Sequence, residues 1–229
     1  MLSFRFLPQY FPYFNDGIIV TLIVSFFVVL FGSIIGTLVA IGKMSKIAPL
    51  RWLLNIYLEL FRNTPMLVQI SIGFILMSGQ GLPNLHIGIL AEDLNRLIPG
   101  IIVLSLNSGA YTAEIVRAGI TAVPAGQTEA AHSLGIRPWA TMTRVILPQA
   151  LRNILPALGN EFVTIVKDSS LLYTIGIIEL YAGAQAVQNA TYISLAPMLF
   201  AAGYYFVVCF ILNRVIARLE KRVGKGYAK

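Results

Sequence analysis

An all-α, polytopic membrane fold is what this 229-residue chain predicts, on three observations. Hydrophobic residues make up 57% and charged residues only 12%, where an average soluble domain has roughly half and a quarter. Mean hydropathy is +0.76. Charge-free runs reach the length of a bilayer crossing: residues 17–42 hold no Asp, Glu, Lys or Arg, and a helix needs about 20 apolar residues to span. The chain reads as one transmembrane domain, 1–229, with its spans inside 17–220 and no room for a large soluble domain.

The elements follow in order. Residues 1–16 are rich in aromatics (Phe4, Phe6, Tyr10, Phe11, Tyr13, Phe14), interrupted by Pro8 and Pro12. That mixture predicts a leader lying at the membrane surface. No basic start with a short apolar core and small-residue cleavage site precedes the first span, so no removable signal is expected. Span one is 17–42. Span two runs from about Trp52 to Met77, with Glu59 and Arg62 in its first half, and is closed by the turn-prone stretch 78–84. Span three covers about 97–120, span four about 151–173 and span five about 193–213, followed by a basic tail at 214–229.

The net charge of +7 sets topology rather than marking a nucleic-acid binder. Placing the loop 43–51, the segment 117–152 and the tail on one side gathers Lys43, Lys46, Arg51, Arg117, Arg137, Arg144, Arg152 and the basic residues of the tail there. Arg5 and Arg96 fall on the other. The positive-inside rule then puts the N-terminus outside and the C-terminus in the cytoplasm, which demands an odd number of spans; five satisfies it. Cys209, the single cysteine, lies in an apolar segment, so neither an intramolecular disulfide nor a cysteine metal site is expected. His86 and His132 have no ligand neighbours at metal-binding spacing. There is no GxxxxGK[ST] nucleotide loop and no nucleophile elbow. With no internal repeat, one asymmetric set of helices completes a path by pairing with a second copy or a related subunit.

Ionisable and polar groups at membrane depth are site candidates, because each costs at least a few kcal/mol unless paired or facing water. Asn107, Tyr111 and Glu114 lie at i, i+4 and i+7, and Glu161, Thr164 and Asp168 at i, i+3 and i+7, so each set occupies one helical face. Two such stripes on facing helices would line one cavity. Thr64 and Gln69 flank Pro65, whose missing N–H frees a carbonyl and kinks the helix. Glu161 and Glu114 are candidate acceptors for an ammonium group. Thr64, Gln69, Ser169 and Ser170 are candidate donors for a carboxylate. Glu114 with Arg117, and Glu59 with Arg62, are alternatively structural i, i+3 pairs.

Residues 121–149, TAVPAGQTEAAHSLGIRPWATMTRVILPQ, are too long for a connector, since helix–helix links usually take about 2–8 residues. Ala130, Ala131 and Leu134 give a short helical face after Pro124 and Gly126. Gly135 fits a C-terminal cap, and Pro138 can start a second helix on which Trp139, Met142 and Val145 recur. The expectation is a compact two-helix knob in the cytoplasm, a contact for a soluble partner.

Glu129-Ala130-Ala131, Gly135 and then Val145-Ile146-Leu147-Pro148 resemble the EAA loop of ATP-binding cassette (ABC) importer permeases, with Val145 in place of the usual isoleucine. Arg62 to Gln69, Ala110 to Arg117, Gly126-Gln127, Pro148 to Arg152, Gly159 to Phe162 and Lys167 to Leu171 extend the likeness to the polar amino acid branch. The resemblance implies a type I ABC importer permease fold of five transmembrane helices. It implies a subunit that pairs as a homo- or heterodimer in a prokaryotic cell membrane, each copy docking on one of two cytoplasmic ATPase subunits through Glu129, Ala130, Ala131, Leu134 and Gly135. The ATPases would hold ATP and Mg; this chain would hold no cofactor. An extracytoplasmic binding protein would deliver the amino acid. A secondary transporter or channel for small polar solutes is the alternative, and it leaves the knob unexplained.

Overall fold

The computed structural model describes residues 4–77 and 94–224, and the side chains of 4–77 and 94–221. The turn-prone stretch 78–84, His86, Lys225 and Lys229 lie outside the described residues. Among those described, every regular element is helical: α1 (Leu7–Lys43), α2 (Ala48–Asn63), α3 (Met66–Met77), α4 (Leu94–Thr121), α5 (Ala125–Ser133), α6 (Pro138–Thr141), α7 (Leu147–Asp168), α8 (Leu180–Thr191) and α9 (Leu195–Gly224). A π turn, Met142–Ile146, joins α6 to α7, and a 3-10 segment, Ser169–Ile175, continues α7.

Two of these, Leu7–Lys43 and Leu195–Lys221, are long and apolar enough to cross a membrane as single helices. Two bent pairs would raise that to four: α2 with α3, turned by 113°, and Pro138–Ile175 with α8, turned by 49°. The second span expected as one apolar segment is therefore broken at Thr64–Pro65. Pro65 cannot donate to the helix before it, and it disfavours helical geometry at Thr64, whose backbone is extended (φ −113°, ψ 145°). The aromatic leader also differs from expectation. It is no separate surface segment, since the helix runs unbroken from Leu7, with Pro12 inside it. At about 1.5 Å per residue α1 is roughly 55 Å long, well beyond a hydrocarbon layer of about 30 Å.

The layer is built around the contact of α1 with α4, the most extensive in the fold. On α1 the small residues Val24, Val28, Gly32, Gly36 and Ala40 face inward at i+4 steps, while Phe27, Leu30, Phe31, Ile34, Leu38 and Ile41 are exposed. This inverts the soluble pattern. Lipid tails are as apolar as Leu, so burial gains come from close van der Waals approach of small residues. Gly32 and Gly36 provide it: a Cβ at Gly36 would lie 2.5 Å from the Thr112 Cβ and 2.7 Å from the Gly109 carbonyl oxygen. Val20, Val24, Val28, Ile70, Leu104, Ile165, Leu172 and Ile177 form the central core between α1, α3, α4 and α7.

The two ends of the layer are distinguishable. Lys43 meets Glu114, and the α4–α5 corner forms a recess with Arg152 and Glu220, so the ends of α1, α4 and α9 share one side with α5 and α6. Arg96 donates to the Gly176 carbonyl at the opposite side.

Candidate functional site

Three regions hold the predicted residues. The first is the corner between α2 and α3. Breaking a helix at membrane depth leaves carbonyls without N–H partners, and the corner supplies side chains for them. The Gln69 amide donates to the Phe61 carbonyl (2.9 Å), the Thr64 carbonyl (3.0 Å) and the Thr64 hydroxyl (2.7 Å). The Asn107 amide reaches across from α4 to the Phe61 carbonyl (3.1 Å) and to Gln69 Oε1 (2.8 Å). Thr64 Oγ1 donates to the Leu60 carbonyl (2.7 Å). Thr64, Gln69 and Asn107 are thus brought together, with their donors spent on the broken helix. Thr64 and Gln69 also border a cavity of about 350 Å³ with Phe61, Gly73 and Val103.

Two turns along α4, Glu114 binds three cations. Arg117 Nη2 lies 2.8 Å from one carboxylate oxygen; Lys43 Nζ at 3.4 Å and Arg62 Nη1 at 3.8 Å lie by the other. Tyr111 sits beside this cluster, its ring centroid 6.0 Å from the Arg62 guanidinium. The pairing of Glu114 with Arg117 forms as an i, i+3 contact. That of Glu59 with Arg62 does not: Glu59 accepts from Asn63 instead, and Arg62 turns toward Glu114. An i, i+4 amide and a second carboxylate across the helix interface both compete for groups that sequence spacing had paired.

The second region is α7. Glu161 accepts from the Ser108 hydroxyl at 2.8 Å. Ser108 stands one residue, about 100° of helix turn, beyond Asn107, so the stripe containing Glu161 meets α4 on a different face from the Asn107 stripe. Asp168 is half-buried at the end of α7. Ser169 is fully buried and donates to the Val166 carbonyl (2.9 Å); Ser170 donates to the Lys167 carbonyl (2.8 Å). Both hydroxyls therefore cap α7.

The third region is the knob. The sequence predicts two short helices; α5 is one, whereas α6 runs through the π turn directly into α7. Pro148 has no N–H for the Arg144 carbonyl, the kind of lost bond that a π turn absorbs. Gly135 closes α5 at φ +73°, with the Ile136 N–H returning to the Ala131 carbonyl (3.0 Å) and the Gly135 N–H to that of His132 (2.9 Å). This cap needs the left-handed conformation that glycine adopts without strain. Ala131 is buried against the knob's own interior, while Glu129, Ala130, Leu134 and Gly135 are exposed. Leu134 and Trp139 are each 79% exposed.

With this geometry in hand, comparison with known proteins is decisive. The family described as binding-protein-dependent transport system inner membrane component matches residues 29–225. The chain belongs to that family. As a transport-system membrane component it is similar along nearly its whole length to a putative glutamine transport system permease protein of Rickettsia conorii, 39% identical over 96% of this chain and 98% of the relative. It is likewise similar to the L-cystine transport system permease protein of Bacillus subtilis, 37% identical over 96% and 91%. A solved structure described as an amino acid ABC transporter with histidines superposes at TM-score 0.86 with 37% identity, covering 97% of this chain and 99% of that one. The methionine ABC transporter MetNI, in an inward-facing form, shares the fold at TM-score 0.72 and 18% identity. The architecture is therefore the all-helical type I ABC importer permease fold.

Three residues in the site region escaped the sequence reading. Lys43 reads along the chain only as a topology charge, and nothing distinguishes Ser108 from Ser105, Asn107 and Thr112 around it. Glu179 is fully buried as the N-cap of α8, accepting from the Tyr181 N–H (2.9 Å), the Ala182 N–H (2.8 Å) and the Tyr205 hydroxyl (2.7 Å). A carboxylate just before an alternating apolar and small-residue stretch was the available sign of that cap.

Proposed function

We propose that this chain forms the translocation path of an ATP-driven importer of polar or basic amino acids. It crosses the cell membrane of a prokaryote five times, by α1, the broken pair α2–α3, α4, α7 and α9. Its N-terminus is outside, its C-terminus in the cytoplasm. A second permease chain completes the path, two cytoplasmic ATPase subunits bind and hydrolyse ATP with Mg, and an extracytoplasmic binding protein delivers the solute. The chain itself carries no ATPase site and no cofactor.

One observation carries this reading: the knob exposes Leu134 and Trp139, about four-fifths of each, beside Glu129, on a capped turn rigidly continuous with a span. Large apolar side chains on a polar, glycine-capped turn mark a surface completed by a protein partner. Because α6 continues into α7, rotation of a docked knob turns α7 and moves Glu161 against Ser108. The proposed transport set is Glu161 and Asp168 as ammonium acceptors, with Ser169 and Ser170 at the end of their helix. Thr64, Gln69, Asn107, Tyr111 and Glu114, on a different face of α4, shape and hold the α2–α3 side of the path. Glu129, Ala130, Ala131, Leu134 and Gly135 form the ATPase-docking turn.

The test is purification of a tagged chain from native membranes in mild detergent, with identification and counting of co-purifying chains, followed by uptake of labelled amino acids into vesicles with ATP inside. An ATPase at equal stoichiometry and ATP-dependent uptake are expected. Recovery of the chain alone, from membranes that yield other complexes intact, overturns the reading.

A further inference from the structure

Lys43 closes α1, Arg62 is the last residue but one of α2 and Arg117 lies in the last turns of α4, and the three converge on the Glu114 carboxylate. Among the described residues no other carboxylate comes within ion-pair distance of them, so three positive charges face one negative charge and an excess of two remains. The one carboxylate is not shared equally. Arg117 holds Oε2 with both Nε and Nη2, each at 2.8 Å, the length of a full charge-assisted hydrogen bond; Lys43 at 3.4 Å and Arg62 at 3.8 Å from Oε1 lie beyond that length. The Arg62 guanidinium stands instead by the Tyr111 ring, 6.0 Å from its centroid, with its side chain 43% exposed. Donors that converge from three helices, exceed their acceptor and stay open to the surroundings attract an anion.

Depth and surroundings say which anion. Along α4, Glu114 stands eighteen residues, about 27 Å, from Arg96, which lies at the opposite end of the layer. A hydrocarbon layer is about 30 Å thick, so the cluster sits where the phosphates of the knob-side leaflet begin. Beside it is the apolar recess of about 350 Å³ between α2, α3 and α4, whose wall starts at Leu60 and Phe61, immediately before Arg62 in the chain, and continues over Val68, Ile72 and Val103. Basic pockets between helices at this level take anionic headgroups. We propose that the cluster and the recess together hold one anionic phospholipid of the knob-side leaflet, its phosphate on Lys43, Arg62 and Arg117 and an acyl chain in the recess. The lipid supplies the negative charge that Glu114 alone does not, and it ties the end of α2 to α1 and α4 just before the break at Pro65.

The tagged chain, purified with the subunits that accompany it and washed free of native lipid in a neutral detergent, is titrated with phosphatidylglycerol, with phosphatidylcholine of the same chains and with inorganic phosphate, and its melting temperature is followed. Phosphatidylglycerol should raise it at a mole fraction roughly tenfold lower than phosphatidylcholine, whose own ammonium meets the excess positive charge. Inorganic phosphate, which has no chain for the recess, should not reproduce the rise. Arg62→Gln, and separately Lys43→Gln, should weaken the response to phosphatidylglycerol roughly tenfold, the loss of one hydrogen bond to a charged group, and Arg62→Lys should keep most of it. Glu114→Gln discriminates best: it removes the anion that competes for the site, so phosphatidylglycerol should bind this variant more tightly than the unsubstituted chain, a gain that a cluster serving folding alone would not give. An equal response to the two lipids, a response unchanged in both Arg62→Gln and Lys43→Gln, weaker binding to Glu114→Gln, or full stabilisation by inorganic phosphate overturns the proposal. The readout is lipid binding, so it is independent of the solute and of ATP-driven uptake.

Discussion

The α2–α3 corner and the α5–α6 knob handle their unfavourable groups in opposite ways. At the corner, polar groups are forced into the membrane layer and every donor of Gln69 and Asn107 named above ends on a carbonyl, a hydroxyl or an amide oxygen of the same chain. At the knob, apolar groups stand beyond the layer and are left uncovered. The first arrangement is complete in one chain, so it maintains shape. The second is incomplete, so it points to a partner. Chemical type does not separate the two; whether the group is satisfied does.

Substitutions that break the closed side should act on folding, and the largest effect should come from the α1–α4 contact beneath it. Gly36→Val pushes a Cβ against Thr112 and the Gly109 carbonyl, neither of which can yield without moving a helix. Overpacking of this kind costs about 1–3 kcal/mol or more. The expected result is a broad, early-eluting species in detergent gel filtration and a large drop in melting temperature. Asn107→Leu is next. It strips a donor from Gln69 Oε1 and one of two donors from the Phe61 carbonyl, leaving polar atoms in an apolar layer at a cost of about 1–3 kcal/mol. Thermal unfolding checks it, and Gln69→Leu in the same background should add little, because one network is already open.

A smaller effect belongs to Glu114→Gln, which leaves Lys43, Arg62 and Arg117 facing one another. The carboxylate is about a quarter exposed, so solvent discounts the loss to about 1 kcal/mol. The melting difference from the unsubstituted chain should shrink in molar salt, where both the lost attraction and the new repulsion are screened. A difference that ignores salt would mean that Glu114 acts through its hydrogen bonds and shape alone.

This contrast also explains what the sequence made legible. The all-helical membrane class, the run of helices in α1, α4, α7 and α9, and a kink at Pro65 follow from hydropathy and proline chemistry, which are local. The capped turn at Gly135 was readable for the same reason. Partner choice was not. Glu114 was correctly drawn to Arg117, one helical turn away, but its bond to Lys43 spans 71 positions, and nothing along the chain advertises it. Glu161 was singled out as an in-span acid, yet its partner Ser108 is set by how closely α4 and α7 approach. The bend of α2 against α3 and the continuity of α6 with α7 are likewise products of packing, where spacing gave only a kink and a second short helix. The likeness of ordered motifs carried the family; the geometry of each motif had to be seen.

The smallest effect on folding, and the most informative, is expected at the open side. Leu134→Ser and Trp139→Ser remove apolar groups that touch solvent over about four-fifths of their surface, so stability should stay within about 0.5 kcal/mol of the unsubstituted chain. If these side chains fill a pocket on the ATPase, losing the Trp139 indole should weaken association by at least about 2 kcal/mol, near thirtyfold in dissociation constant. Titration of purified permease with the proposed ATPase partner measures the second quantity and thermal unfolding the first. A fall in association at constant melting temperature identifies the knob as a docking surface. A parallel fall in both would mean that Trp139 supports the turn from within, and the distinction between a corner closed on itself and a knob open to a partner would fail at the residue that best defines it.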